Sequence, residues 1–566
     1  MGDAGDVAGH DPGRCSGDDN LAAAITNGPH TIQADALVIG GGFSGITATH
    51  RLRKIGLQAK CFESGADFGG VWYWNSRYPG ARVDSEFPFY QLNIPEVYKT
   101  WHFSKRFPDH HELRRYFAHI DKTLNLSKDT YFNARVVDAT WDKDRGWTIR
   151  TQQGQVASAK YLLVCTGLHH RTYTPEFPGL DSYKGEILHP GVGWPKDWTS
   201  KGKRIGLIGA GATSVQITQE LGKEEDVDLT IFLRRPSYNL PMKQRDIPEE
   251  EQIYQKHMYG AILNACRKTP GGFAVTLANP SKATEIPQED REKHFESLWD
   301  TGGLNYLIGN YADTVFDPAS NRLVYDYWRR RVCQRLKDPE KQKMMAPATA
   351  DMPFYFGTRR TPLEHDYYEV LDRPNVHLHD LNNVPVRSFS EHGIVMADGR
   401  EFLFDAVIFA TGFDSFTGAL TRMGLKNKNG IDIKDLWSNG VHTYLGLTVS
   451  GFPNMFLSYS VHAPTARANG TTLIEAQIET AVDMIAKLES EGATSIEATP
   501  EAEEKWKAGI DKANKATLFP CTRSWWDGSN IPGKKVENLA YVAGIADYEA
   551  KCRATLEGWK GFVVQK

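Results

Sequence analysis

Three glycines, Gly40, Gly42 and Gly45, stand at the spacing G-x-G-x-x-G, and an acid, Glu63, follows them. In that pattern the first glycine permits a tight turn out of a strand. The second lets the backbone approach a pyrophosphate, and the third lets a helix pack on the strand. An acid about 20 residues further on takes ribose hydroxyls. Glu63 would repel a free 2'-phosphate, so the first run reads as a site for FAD or NAD. Gly209, Gly211 and Ser214 repeat the pattern as G-x-G-x-x-S, but Arg234 and Arg235 stand where the first run has Glu63. Arginine pairs bidentately with phosphate, so the second run reads as a site for NADPH. The bland alternative is two ordinary turns and a pair of solvated arginines. Two such runs of opposite charge preference favour FAD plus NADPH.

The elements that must position these residues are legible around them. Ala36–Ile39 is a short apolar run that reads as a buried strand. A helix over 44–55 points its amides and dipole at the phosphates, and a second strand, Gln58 to Phe62, delivers Glu63. Residues 203–209 and Leu229–Leu233 serve the second run in the same way. The first nucleotide domain closes with Tyr161-Leu-Leu-Val-Cys-Thr-Gly167. A similar stretch, Phe404 to Asp414, is expected to return the chain to that domain. The expected class is α/β, with two Rossmann-like dinucleotide-binding domains and a helical insertion in the second. The plan is a disordered tail over 1–30 and an FAD domain over 31–168 and 402–566. A linker at 169–201 follows, then an NADPH domain over 202–243 and 351–401, interrupted by helices at 244–350. The basic run Arg329-Arg330-Arg331 reads as a solvated helix face. Residues 473–488 read as an amphipathic helix with Ile474, Ile478, Val482 and Ile485 on one face, ended by Gly492.

Composition narrows the class. The chain has 566 residues, 40% hydrophobic and 24% charged, with a net charge of −4, which makes no case for nucleic acid. No apolar run approaches a membrane span, and the N-terminus lacks the basic and apolar regions of a secretory signal. A cytoplasmic protein is expected. Its seven cysteines form no C-x-x-C; Cys61 and Cys165 lie in apolar strands and read as small core residues. No H-E-x-x-H occurs, and His110-His111, before a polar helix, read as surface residues, so no metal is expected.

Four further segments carry a resemblance. Tyr183-Lys-Gly185-Glu-Ile-Leu-His189-Pro-Gly-Val-Gly-Trp194-Pro195 resembles the F-x-G-x-x-x-H-x-x-x-W-P fingerprint of type I Baeyer–Villiger monooxygenases. It departs by beginning with Tyr and by one extra residue before Trp194. Gly69-Gly70-Val71-Trp72 through Tyr78-Pro79-Gly80 to Asp84 resembles the same family's G-G-x-W…Y-P-G-x-x-x-D segment, with one extra residue near Ser76. Phe356-Gly357-Thr358-Arg359-Arg360 is a third match, and Ser524-Trp525 with Asn530-Ile-Pro-Gly533-Lys534 a fourth.

The resemblance implies an enzyme that uses NADPH, FAD and O2 to insert one oxygen beside a ketone carbonyl, giving an ester or lactone through a C4a-peroxyflavin. It also implies that Arg360 is the cation of the oxygenation step and that Asp84 sets its position. Gly70, Val71, Trp72, Tyr78 and Asp84 would border FAD. Arg359 and Arg234 would hold the NADPH phosphate, Trp525 would contact the nicotinamide cofactor, and His189 would couple the domains. The partners implied are a small ketone and O2. The competing class is an N- or S-oxygenating flavin enzyme, which shares both nucleotide folds. Trp194-Pro195 and the Arg360–Asp84 pairing favour ketones. A disulfide reductase would want a dithiol near the flavin, and the sequence has none.

If Arg234 reads a 2'-phosphate, Arg234→Ala loses ~1.5–3 kcal/mol of NADPH binding, roughly ten- to hundred-fold, and little NADH binding. Titrating both cofactors checks this; an equal loss for the two would show that Arg234 does not read the phosphate.

Overall fold

The computed structural model describes residues 31–75, 77–274 and 276–566. The expected tail over 1–30, and Ser76, lie outside the described residues. Two five-stranded parallel sheets organise the chain. The first runs in the order Met455–Leu457, Tyr161–Val164, Ala36–Ile39, Ala59–Phe62, Thr130–Tyr131. The second runs Val376–Asp380, Asp228–Leu233, Arg204–Ile208, Ala406–Phe409, Glu186–Leu188. In each, the strand before the glycine turn lies at the centre. Parallel strands covered on both faces must be apolar throughout, and Ala36–Ile39, Tyr161–Val164 and Ala406–Phe409 are buried at every position.

This order corrects two expectations. Phe404–Asp414 does resemble the closing strand 161–167, but it closes the second sheet and does not return to the first: Ala406–Phe409 pairs in parallel with Ile205–Ile208. The periodicity is the same because the position in the sheet is the same. Residues 169–201 are not only a linker, since Glu186–Leu188 forms the outer strand of the second sheet against Ala406–Ile408. The fingerprint is therefore part of that sheet's edge. Tyr183 is buried and its hydroxyl donates to the Phe404 carbonyl at 2.9 Å. A Cβ on Gly185 would lie 2.2 Å from that hydroxyl, which accounts for the glycine.

Each sheet also carries a three-stranded antiparallel run inserted before its closing strand: 136–159 in the first half and 386–403 in the second. Helices between Glu249 and Met345 form the insertion, closed at its base by the short pairing of Leu240–Pro241 with Leu363–Glu364. The arginine run there is tied down more than expected. Arg329 donates to the Ala346 and Pro347 carbonyls, Arg330 bonds Glu292, and Arg331 lies 3.9 Å from Glu296. The helix expected at 473–488 spans Gly470–Ser490; Ile474, Ile478, Val482 and Ile485 are all buried, and Gly492 beyond it has a positive φ. The helix at His110–Leu124 starts on the histidine pair, capped by Asp109, and buries Leu113, Tyr116, Phe117 and Ile120. It is amphipathic where a polar helix was expected. His110 is half-buried, and burial pushes its pKa down to about 4. No helix among the described residues is long and apolar enough to cross a membrane.

The tightest point of the first half is Gly45, where a Cβ would sit 1.7 Å from the Gly40 carbonyl oxygen. Backbone cannot yield there as a flexible side chain can. Gly45→Ala is expected to cost at least the ~1–3 kcal/mol of an overpacked core. A wild-type thermal midpoint and full flavin content would refute this. Tyr183→Phe, which strands the Phe404 carbonyl but keeps the ring, should cost about 1 kcal/mol in chemical denaturation.

Candidate active site

Both glycine turns open onto one cavity of about 1410 Å³, lined by Gly40, Gly42 and Glu63 on one side and by Gly209, Gly211 and Arg234 on the other. Pockets for a single small ligand span roughly 300–1,000 Å³, so this one has room for more than one large ligand. The helices Phe43–Lys54 and Ala212–Leu221 begin on Gly42 and Gly211, with no side-chain cap and no acid in the first turn. Their free amides and positive dipole ends are left for an anion. A Cβ on Gly211 would meet nothing within 4 Å, and one on Gly42 would touch only Gly70. Space in front of both turns is therefore open to phosphate groups, and the residues present fit two dinucleotides.

Glu63 is 4% exposed and sits on the cavity wall as expected. Its carboxylate also has local work: it accepts from the Gly41 amide at 2.6 Å and the Gly65 amide at 2.7 Å. Ser64 Oγ and Trp74 Nε1 also donate to Oε1, at 3.2 and 3.3 Å, whereas Oε2 holds only the Gly41 amide, so Oε2 is the oxygen left to accept from a ribose. Gly70, Val71, Trp72, Tyr78 and Asp84 line the same side. Trp72 Nε1 donates to the Tyr90 hydroxyl at 3.0 Å. Gly45 and Ser214 do not reach the cavity. Both act in packing, and Ser214 is fully buried inside its helix.

Arg234, Arg235 and Arg359 gather on the opposite side of the cavity. Burial, then the neighbouring Arg235, pushes the Arg359 guanidinium down to about 10; burial, then Arg234, lowers Arg235. Arg359 lies 4.6 Å over the Phe354 ring and donates to the Arg523 carbonyl, while its Nε has no partner. None of the three forms a salt bridge with an acid among the described residues. Such a cluster is costly unless a dianion neutralises it. Trp525 stands on the wall close by, 5.9 Å from His169 and 5.4 Å from Phe416.

Between the two halves lies the Arg360–Asp84 pair. Nε and an Nη of Arg360 each donate to a different Asp84 oxygen at 2.7 Å, the bidentate fork. Burial alone would raise the Asp84 carboxyl, but Arg360 outweighs it and holds the group below its ordinary value. Burial alone would lower Arg360, and Asp84 outweighs that in turn. Tyr90 and Tyr459 face the pair.

Sequence reasoning missed both tyrosines and Gln216. Tyr459 lies in the loop 458–470 and holds a positive φ of 52°, unusual for a bulky residue; no sequence pattern signals it. Gln216 accepts from the Tyr78 hydroxyl at 2.8 Å and donates to the Arg82 carbonyl at 2.9 Å, docking the Trp72–Asp84 segment onto the second nucleotide helix. Its place one turn into the glycine-turn helix was the available signal.

The fingerprint divides. His189 lines the cavity, accepts from the Gly191 amide at Nδ1 (3.2 Å) and sets Nε2 3.4 Å from the Tyr173 carbonyl. The proton is thus on Nε2, and burial keeps the ring's pKa below its ordinary value. Trp194 packs edge-on to Trp198 at 5.0 Å and Pro195 is exposed, both away from the cavity.

The sequence profile of flavin-binding monooxygenase-like proteins matches residues 34–240. The chain is 40% identical over 537 residues to the FAD-binding monooxygenase acrE of Aspergillus aculeatus, covering 94% of this chain and 90% of that one. It is 38% identical over 531 residues to cyclopentanone 1,2-monooxygenase of Comamonas sp., covering 93% and 95%. The crystal structure of cyclohexanone monooxygenase from Rhodococcus sp. Phi1 bound to NADP+ superposes with a TM-score of 0.89 at 31% identity, covering 95% of this chain and all of that one. With two glycine-turn nucleotide folds facing one cavity and these relatives along nearly its whole length, the chain belongs to the flavin-binding monooxygenase-like family, among its type I Baeyer–Villiger monooxygenases.

Proposed function

We propose that this chain uses FAD and NADPH to insert one atom of O2 beside a ketone carbonyl, giving an ester or lactone, with Arg360 as the cation that holds the oxygen nucleophile. The observation that carries the assignment is the bidentate Arg360–Asp84 pair on the wall between the two nucleotide turns. Bound FAD supplies the electron transfer and the oxygen activation. The chain binds and orients. Amides at Gly42 and Gly211 would take the pyrophosphates, and Glu63 would take a ribose of FAD. Arg234, Arg235 and Arg359 would take the 2'-phosphate of NADPH, and Trp525 would contact that cofactor.

Arg360 remains charged at any working pH, and its planar fork is held in one orientation by Asp84. A fixed donor in a site shielded from water stabilises an oxygen anion without reorganisation at the moment of reaction. His189, neutral and bonded to the Tyr173 carbonyl, joins the outer strand of the second sheet to the cavity wall and acts in positioning.

Removing a donor that stabilises an anion costs ~3–4 kcal/mol, a hundred- to thousand-fold. Arg360→Ala should still consume NADPH but give hydrogen peroxide in place of ester. Arg360→Lys should fail as well, because a flexible point charge cannot copy the fork. Asp84→Ala should keep part of the ester yield at a lowered thermal midpoint, since it leaves a half-buried cation without its partner. Ester yield per NADPH consumed is the measurement. A wild-type yield from Arg360→Ala would place the cation elsewhere.

A further inference from the structure

Behind the strip that carries Arg359, Arg360 and Trp525 lies a small cavity of about 40 Å³, lined by Thr358, Arg467, Asn514, Trp526, Asp527 and Asn538. A water's share of the liquid is about 30 Å³, so the space suits one compact group. Its walls are rich in donors that nothing in the chain uses. Trp526 is 7% exposed and its Nε1–H has no partner, and the Asn538 Nδ2 group is also unpartnered. Arg467 is half-buried and forms no hydrogen bond or salt bridge with any described residue. Its guanidinium instead stacks 4.9 Å over Phe519, and loss of water pushes its pKa down to about 10.

The one carboxylate on the wall is committed elsewhere. Asp527 accepts from the Ser524 and Ser529 amides and lies 3.4 Å from Arg523. The Asn514 Oδ1 is unpartnered too; the same amide, turned about its last bond, offers its NH2 group instead. A water here would satisfy hydrogen bonds but leave the half-buried Arg467, which pairs with no acid among the described residues, without a counter-charge. An anion satisfies both.

We propose that this cavity binds one small monovalent anion of halide size, chloride in ordinary media, held by Arg467, Trp526 Nε1 and Asn538 Nδ2. The ion ties the loop 458–469, whose Thr465, Ala466 and Ala468 line the main cavity, to the segment 519–542, whose Ser524 and Trp525 line it from the other side. Thr358, which bonds Thr522 across the same cavity at 2.7 Å, immediately precedes Arg359 and Arg360. The site is thus a brace behind the catalytic wall and holds neither substrate nor cofactor.

The test uses FAD-loaded protein prepared free of halide. Its thermal midpoint should rise by a few degrees with added chloride and saturate, and should not rise with gluconate at equal ionic strength. Crystals soaked in bromide should show an anomalous peak in the cavity beside Arg467. Arg467→Met should abolish the chloride-specific rise; should that variant not fold, Trp526→Phe, which removes one donor and keeps a ring, should weaken the chloride affinity several-fold. Equal midpoints in chloride and gluconate would overturn the proposal. So would the absence of a bromide peak, a peak without chloride-dependent stability (an adventitious ion only), or an unchanged chloride response in the variant that folds.

Discussion

Two opposite charges, each half-buried and each meeting the other, tie the molecule together. Asp84 arrives on the segment after the first glycine turn, and Arg360 arrives 276 positions later, on the chain returning from the helical insertion. Drawing either partly out of water alone is unfavourable, and the fork between them offsets that. Each segment is therefore seated correctly only when the other is. Tyr78 and Gln216 reinforce this by docking the Asp84 segment onto the second nucleotide helix. The cation reaches the junction of the two nucleotide sites because its partner is already anchored to both halves.

What was legible in the sequence follows from the range of the forces involved. The glycine turns, their strands and Glu63 could be read because local backbone chemistry dictates them: Gly45 is forced by a carbonyl a few residues away. The opposed charges at Glu63 and Arg234 could be read because each ends the strand after its turn. Three resembling segments brought Asp84, Arg360 and Trp525 to notice, and the structure brings all three to one cavity. Partnership between sheets was not legible. Phe404–Asp414 has the pattern of any buried closing strand, and alternation cannot say which sheet it closes. The fingerprint read as a linker because Glu186–Leu188 is only three residues long and exposed at two of them, as an outer strand can be. Tyr459 left no trace, since its importance lies in a backbone angle and a neighbour remote in sequence.

The two halves repeat one plan: a central strand, a glycine turn, a helix, an antiparallel three-stranded run, a closing strand and an outer strand borrowed from elsewhere in the chain. Apart from the helical insertion in the second half, they differ in the charge at the end of the second strand, acid in one and arginine in the other. One scaffold used twice thus carries opposite charges at the same place, in keeping with the separation of fold from site.

The borrowed outer strands set an order on how the molecule can be made. The second sheet has all five of its strands once residue 409 is available, but the first lacks its outer strand until Met455–Leu457 is available. On a ribosome, the half encoded first is therefore the half completed last. Until then Tyr161–Val164 offers an unpaired, wholly apolar edge, the kind of surface that invites intermolecular pairing. Truncations before residue 457 would leave that edge exposed for good, so the extreme C-terminal quarter serves the N-terminal nucleotide fold as a covalently attached folding partner.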